Sequence, residues 1–353
     1  MTARESAAQD RNQVVTVVRA PRGLPTPADF ALVSRPIPRP ADGEVLFRAS
    51  HMSLDPVMRR YLPGPETAPG PIGGSVRPGD VAMAAPPPPA HALSGAFVGT
   101  VLESRHPDFV AGDRVRGGHL WQTHHVVPGE CLQRIAPHAD PLDELGLLGG
   151  PGLVAWCGVR VGRICPGETF VVSAAGGAIG MVAGQLAKVA GARVVGIASR
   201  EKAEYVVQEL GFDACIDRAA TTVQAGLDRH CPEGIDVYFD NVGAETGAAA
   251  FERLREHGRY IVCGMAGEYN DPEPVAGPPL RPVLRKRLRV EGFVVYDHYD
   301  EFEVFRAEMA ALRRAGELRY RYETLQGLRS APEGLIRLLT GRNKGKMIVD
   351  LER

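Results

Sequence analysis

Val171-Val172-Ser173-Ala174-Ala175-Gly176-Gly177-Ala178-Ile179-Gly180 runs from a β-branched strand through a turn of small residues into an apolar helix. A tight turn at this point needs residues without bulk, and a pyrophosphate must approach the backbone N–H groups where the helix begins. Gly180 would let the helix pack close to the sheet. Ala175, Gly176, Gly177, Ala178, Ile179 and Gly180 are therefore the candidates for holding a dinucleotide. A small-residue turn alone says little, but at the head of a strand–helix–strand unit it specifies dinucleotide binding.

Working outward, apolar strands over 169–174, 192–198, 214–217, 236–241, 259–264 and 290–295 alternate with helical patterns over 178–190, 201–210, 222–230, 245–257 and 301–315. That alternation predicts an α/β Rossmann domain, a doubly wound parallel sheet. Upstream, from Val14 to about Pro137, short apolar runs are broken by Gly and Pro, the rhythm of an all-β unit. Between Leu62 and Leu93 a Pro/Gly/Ala-rich stretch cannot sustain a helix, and it reads either as a surface excursion or as a lid over the substrate mouth. A last strand over 346–351 returns to the first domain, so the expected division is 1–146 plus 317–353 around an inserted 147–316.

The second strand of the inserted domain ends at Ala198-Ser199-Arg200-Glu201-Lys202. An NAD enzyme places an Asp or Glu there, roughly 20 residues past the glycine turn, to bind the ribose hydroxyls. A hydroxyl at Ser199 followed by Arg200 and Lys202 suits a 2′-phosphate instead, which favours NADPH over NADH. The competing reading makes Arg200 and Lys202 ordinary solvent charges of a first helical turn.

A chain of 353 residues accommodates two domains, and 44% hydrophobic with 24% charged residues is the balance of a globular enzyme. A formal net charge of −1 offers no global field for nucleic acid or anionic lipid, and the small basic cluster from Arg281 to Arg289 reads as a solvated strand entrance. No apolar run is long enough for a membrane span, and the polar stretch Met1 to Gln13 lacks the apolar segment of a secretory signal, so a cytoplasmic protein is expected. The six cysteines form no CxxC pair, HExxH is missing, and His124 and His125 would face opposite sides of a strand, so no metal is assigned.

Landmarks spread along the chain resemble one family. They include Ser53-Leu54-Asp55-Pro56-Val57-Met58-Arg59, Ser104-Arg105-His106-Pro107-Asp108-Phe109, Gly150-Pro151-Gly152-Leu153, Gly211-Phe212-Asp213 and Asp236-Val237-Tyr238-Phe239-Asp240-Asn241-Val242-Gly243. Further along stand Cys263-Gly264, Tyr269-Asn270, Gly292-Phe293 and Gly341-Arg342-Asn343-Lys344-Gly345-Lys346. The chain resembles the leukotriene hydroxydehydrogenase, prostaglandin reductase and double-bond reductase branch of the zinc-independent medium-chain dehydrogenase/reductases. The resemblance implies a mostly β GroES-like domain carrying the Rossmann insertion, and a homodimer. It also implies NADPH-dependent reduction of the carbon–carbon double bond of an α,β-unsaturated ketone or aldehyde. Lys202 is then the residue for the 2′-phosphate, Asn241 and Asn343 serve polar groups of the cofactor, and Cys263 and Gly264 line the nicotinamide side. Phe293, Val294 and Val295 offer backbone to the carboxamide, while Asp55, Val57 and Met58 belong to the substrate side.

Reducing an enone moves negative charge onto the carbonyl oxygen, which needs a hydrogen-bond donor. Tyr269 is the catalytic candidate, with a mere binding wall as its alternative role. The chain departs from its family at Val57 and Trp156, where relatives carry tyrosines, at Val154, where a hydroxyl is lost, and at Arg218, which replaces a tyrosine and could grip the phosphate. Two rival functions stay open: an NADPH:quinone or other carbonyl-directed oxidoreductase, and an NADPH-binding protein without turnover.

Overall fold

The computed structural model describes residues 11–62, 93–271 and 275–352. Residues 63–92, the bulk of the Pro-rich stretch read as an excursion or a lid, lie outside the described residues. The chain divides into two compact units: one holds the described residues up to Leu145 with Glu323–Arg342 and those from Met347 onward, the other Gly146–Tyr322 with Asn343–Lys346.

The first unit opens with an antiparallel ribbon of β1 (Asn12–Val17) and β2 (Phe30–Arg35). There follow β3 (Glu44–Ser53), β4 (Ser94–Ser104), β5 (Arg114–Leu120), β6 (His124–Pro128) and β7 (Leu132–Arg134). Alternation along β3 turns Val45, Phe47 and Ala49 inward, where they pack with Phe97, Trp121 and Met347 into one core. A short helix, α1 (Pro141–Leu145), closes this part, and its Glu144 carboxylate is buried against the Arg116 guanidinium of β5 at 3.2 Å.

In the second unit β8 (Thr169–Ser173), β9 (Arg193–Ala198), β10 (Ala214–Asp217), β11 (Ile235–Asp240), β12 (Leu254–Val262) and β13 (Arg289–Gly292) form a parallel sheet in the order β10-β9-β8-β11-β12-β13. Phe170, Val171 and Val172 are fully buried, as expected for strands covered on both faces. The helices are α2 (Gly150–Gly162), α3 (Gly180–Val189), α4 (Arg200–Gln208), α5 (Val223–His230), α6 (Ala244–Glu252), α7 (Arg281–Lys286) and α8 (Phe302–Arg314). The winding reverses between β8 and β11, so the carboxyl ends of these two neighbours form the switch point where open α/β sheets bind ligands.

The chain then returns to the first unit through β14 (Tyr322–Gln326), α9 (Ala331–Leu339) and β15 (Lys346–Asp350), and β15 lies between β14 and β3 with Ile348 opposite Ser53.

The short helices α1, α7 and α9 were not anticipated, the basic stretch read as a strand entrance forms α7, and two further differences have a clear physical cause. The helix read over 245–257 stops at Glu252, because Leu254 already sits opposite Ile235 in the sheet while Val237 faces Arg259; the residues between bulge out, with His257 at φ 62°. Phe251 and Leu254 are spaced like one helical face, which hides this change of structure. Helix α2 was not anticipated, because Gly150, Gly152, Gly158 and Gly162 weaken its helical signature. Packing explains one of them: a Cβ on Gly158 would lie 2.4 Å from the Phe239 ring, so only glycine lets the helix rest on the sheet.

Candidate active site

The turn after β8 closes at Ala174, a non-glycine residue held at φ 50°. The N–H of Ala175 donates to the Ile197 carbonyl at 3.1 Å and that of Gly177 to the Ala174 carbonyl at 2.8 Å. A Cβ on Gly180 would come within 2.4 Å of the Ala174 oxygen, so the start of α3 can approach the strand end only as glycine. At Gly176 a Cβ would meet the Cβ of Lys202 at 2.9 Å, which shows that the lysine's aliphatic stem lies across the bare turn.

Lys202 projects from the first turn of α4, and its Nζ donates to the Oδ1 of Asn343 at 3.2 Å, while Asn343 Nδ2 donates to the Gly345 carbonyl at 2.7 Å. Ser199 is the N-cap of α4 and makes no side-chain capping bond. Arg200 faces solvent with its Nε 3.3 Å from the Asp217 carboxylate, and Arg218 is exposed while its N–H donates to the Ala198 carbonyl at 3.0 Å. Hydroxyl, ammonium and exposed guanidinium groups thus gather around the ends of β9 and β10, a donor set suited to a phosphate dianion.

The second half of the site is built on a buried carboxylate that the sequence reading passed over. Asp240, 2% exposed at the end of β11, accepts on Oδ1 from the Ser173 hydroxyl (2.9 Å), the Tyr238 phenol (3.2 Å) and the N–H groups of Val242 (2.9 Å) and Gly243 (3.0 Å). Its Oδ2 accepts from the Tyr260 phenol. Burial, and then the charge of Asp240, push the ionisation of Tyr238 and Tyr260 well above the ordinary phenol range. The only trace of this cluster in the sequence is the polar residue closing each of two apolar strands, Ser173 and Asp240.

Asn241 follows, with its N–H on the Ser173 hydroxyl at 2.7 Å and its Nδ2 on the Ser173 carbonyl at 2.8 Å. Among the described residues its Oδ1 is buried without a hydrogen-bond partner, an acceptor that a bound donor can satisfy. The N–H groups of Cys263 and Gly264 both donate to the Asp240 carbonyl at 2.9 Å. Burial raises the half-buried Cys263 thiol, which favours its protonated, unreactive form. A Cβ on Gly264 would lie 3.7 Å from the Tyr269 hydroxyl and 3.6 Å from the Asn241 carbonyl, which places the phenol beside the end of the central strands. Phe293 packs on Phe239 with ring centroids 6.4 Å apart, and Val294 and Val295 begin the turn after β13. Bare glycines under a lysine stem, donors for phosphate and a buried unpaired acceptor together can accommodate NADPH.

The substrate candidates lie in the first unit. Asp55 caps the turn Pro56–Tyr61 and accepts from the Ser53 hydroxyl, Val57 is half-buried, and Met58 is buried in the core, where a Cβ on Gly95 would touch its Cε at 3.0 Å. Trp156 is no open wall either: its Nε1 donates to Glu308 at 2.9 Å and Arg160 covers its ring at 4.3 Å. Among the described residues no three His, Cys, Asp or Glu side chains converge as metal ligands.

Two family models match the chain, "Zinc-binding dehydrogenase" over residues 178–312 and "N-terminal domain of oxidoreductase" over 13–135. The NADPH-dependent curcumin reductase of Escherichia coli is 36% identical over 97% of both chains. The NADP(+)-dependent 2-alkenal reductase of Nicotiana tabacum is 35% identical over 88% of both. The crystal structure of CurA from Vibrio vulnificus in complex with NADPH superposes with a TM-score of 0.86 at 33% identity, covering 97% of this chain and 99% of that one. The chain belongs to the zinc-independent medium-chain dehydrogenase/reductases. Within that superfamily it falls in the leukotriene hydroxydehydrogenase, prostaglandin reductase and double-bond reductase branch, with the Rossmann sheet and GroES-like unit of that fold. In this medium-chain reductase Gly264 lies close to the Tyr269 phenol.

Proposed function

We propose that this chain, working in the cytoplasm as a homodimer, uses NADPH to reduce the carbon–carbon double bond of an α,β-unsaturated ketone or aldehyde. It is an NADP-dependent oxidoreductase acting on CH–CH groups. The observation that carries the reading is the phenol of Tyr269 beside Gly264 and Asn241 at the switch point of the sheet.

NADPH, when bound, would supply the hydride for the β-carbon of the substrate, and a proton from water would complete the α-carbon. The work of the chain is to hold, orient and stabilise. The backbone from Ala175 to Gly180 takes the pyrophosphate, and Ser199, Lys202 and Arg218 take the 2′-phosphate, with Asn343 steadying the Lys202 ammonium. Asn241 Oδ1 accepts from the nicotinamide half, while Cys263, Gly264 and the 293–295 backbone line it. As charge reaches the carbonyl oxygen, the Tyr269 hydroxyl donates to it, a bond that strengthens only as the oxyanion develops. Arg200 is committed first to Asp217 and plays a lesser part, and Met58 acts from within the core, which leaves Asp55 and Val57 as the first unit's substrate residues.

For the homodimer, the supporting feature is the sheet edge at β13 and the helix before it, where Val290, Leu280 and Leu284 are exposed at 48, 79 and 80%, apolar side chains that a lone monomer leaves in water.

The test is a panel of enones, alkenals and quinones with NADPH, the products identified by NMR. Saturated carbonyl products are expected; hydroquinones alone would transfer the assignment to quinone reduction. Tyr269→Phe is expected to lower kcat by about tenfold or more while leaving the NADPH Kd unchanged. An unchanged kcat would reduce Tyr269 to a binding wall.

A further inference from the structure

We infer that Glu268 is a positioning residue that holds Tyr269 in place by clamping its segment onto the start of α6. The inference deepens the proposed function and rests on the role given there to Tyr269.

Helix α6 begins at Ala244 after Gly243, which has no side chain to cap it. Its first N–H groups therefore need outside acceptors. Glu268 supplies one: its Oε1 accepts from the Ala244 N–H at 2.8 Å, and a carboxylate at that end also meets the positive pole of the helix. The approach depends on Gly243, which sits at φ 70° and on which a Cβ would lie 2.4 Å from that same Oε1. A glycine is needed there both for the backbone angle and for the room it leaves the carboxylate.

The segment from Gly264 to Glu268 is laid onto the loop after β11 one residue at a time. Gly264 N–H donates to the Asp240 carbonyl (2.9 Å), Ala266 to Asn241 (3.1 Å) and Gly267 to Val242 (2.9 Å). Glu268 adds a side-chain link to this series, on the residue immediately before Tyr269. Without it the backbone bonds still anchor the segment up to Gly267, and the turn keeps its own Glu268 N–H to Met265 and Asp271 N–H to Glu268 carbonyl bonds, but the carboxylate's hold on the start of α6 is lost. A glutamine keeps an acceptor oxygen at this place and an alanine keeps none, so position and charge can be told apart.

The experiment uses the full-length enzyme, with kcat measured at saturating NADPH on the best enone and hydrogen exchange followed over 242–249 and 264–271. Glu268→Ala is expected to raise exchange in both segments and to lower kcat by about tenfold, with the NADPH Kd unchanged. Glu268→Gln should stay within about twofold of wild type, and in a Tyr269→Phe background Glu268→Ala should change kcat by less than about twofold, since the two act as one unit. Equal losses in both backgrounds, or Glu268→Gln as poor as Glu268→Ala, would overturn the inference. Unchanged exchange in Glu268→Ala would overturn the clamp itself. Raised exchange with Tyr269→Phe at full turnover would show the clamp intact and the proposed role of Tyr269 wrong, and the positioning role falls with it.

Discussion

The two ends of the candidate cofactor site are built on opposite plans. Around Gly176, Ser199, Lys202 and Arg218 the chain offers bare backbone, long cationic side chains and solvent, with Lys202 steadied by Asn343. Around Ser173, Asp240, Asn241 and Tyr260 it offers a buried polar cluster in which one carboxylate receives hydroxyl and backbone donors from three strands and the loop beyond them. Charge recognition tolerates water and motion, whereas aiming a phenol and a buried amide oxygen at a reacting centre needs a rigid base. The difference implies that damage at the first end should appear as lost affinity, and damage at the second as lost stability and turnover.

The largest effect should come from Asp240→Leu. Removing the carboxylate leaves the hydroxyls of Ser173, Tyr238 and Tyr260 and two N–H groups buried without their acceptor, and unfolding free energy should fall by about 3–5 kcal/mol. Urea denaturation measures it, and Asp240→Asn, which keeps one acceptor oxygen, should recover part of the loss. A variant of full stability that merely binds NADPH less well would erase the contrast between the two ends.

Lys202→Ala should raise the NADPH Kd by about 10- to 100-fold and leave the NADH Kd and the unfolding midpoint unchanged. An equal loss for both nucleotides would mean that the ammonium does not read the 2′-phosphate.

The smallest effect is confined to alkaline solution. Burial and the Asp240 charge raise Tyr238 and Tyr260, and burial pushes Tyr205 up to about 12, above the unfolded phenol value near 10. For a group whose folded pKa is raised, its contribution to stability is complete below the unfolded value and is lost as pH climbs beyond it. Tyrosinate absorbance should therefore show these three rings silent through pH 10 and ionising only as the fold opens. Early titration of Tyr238 or Tyr260 would mean that water reaches the cluster in the folded protein.

The phosphate end was open to reading because its requirements are local. A strand–turn–helix needs small residues within a few positions, and a 2′-phosphate needs cations where a carboxylate would otherwise stand, so Gly176, Gly180, Ser199 and Lys202 announce themselves by type and spacing. The β12 boundary was obscured because Phe251 and Leu254 keep a helical spacing although Leu254 already pairs with Ile235 in the sheet. Helix α2 stayed hidden because its glycines weaken the helical signature, and one of them, Gly158, answers to the Phe239 ring, a neighbour far along the chain.

By itself, then, the sequence determined an α/β dinucleotide fold and the residue types that stand at the candidate phosphate end, since short-range sterics and charge are written in adjacent residues. Only the tertiary structure decided that Asp240 gathers Ser173, Tyr238 and Tyr260, that Asn241 keeps a buried oxygen unpaired, and that Glu268 reaches the start of the 244–252 helix. Most of those relations join positions 20 or more apart in the chain, and burial, which makes such hydrogen bonds strong, exists only once the strands have packed.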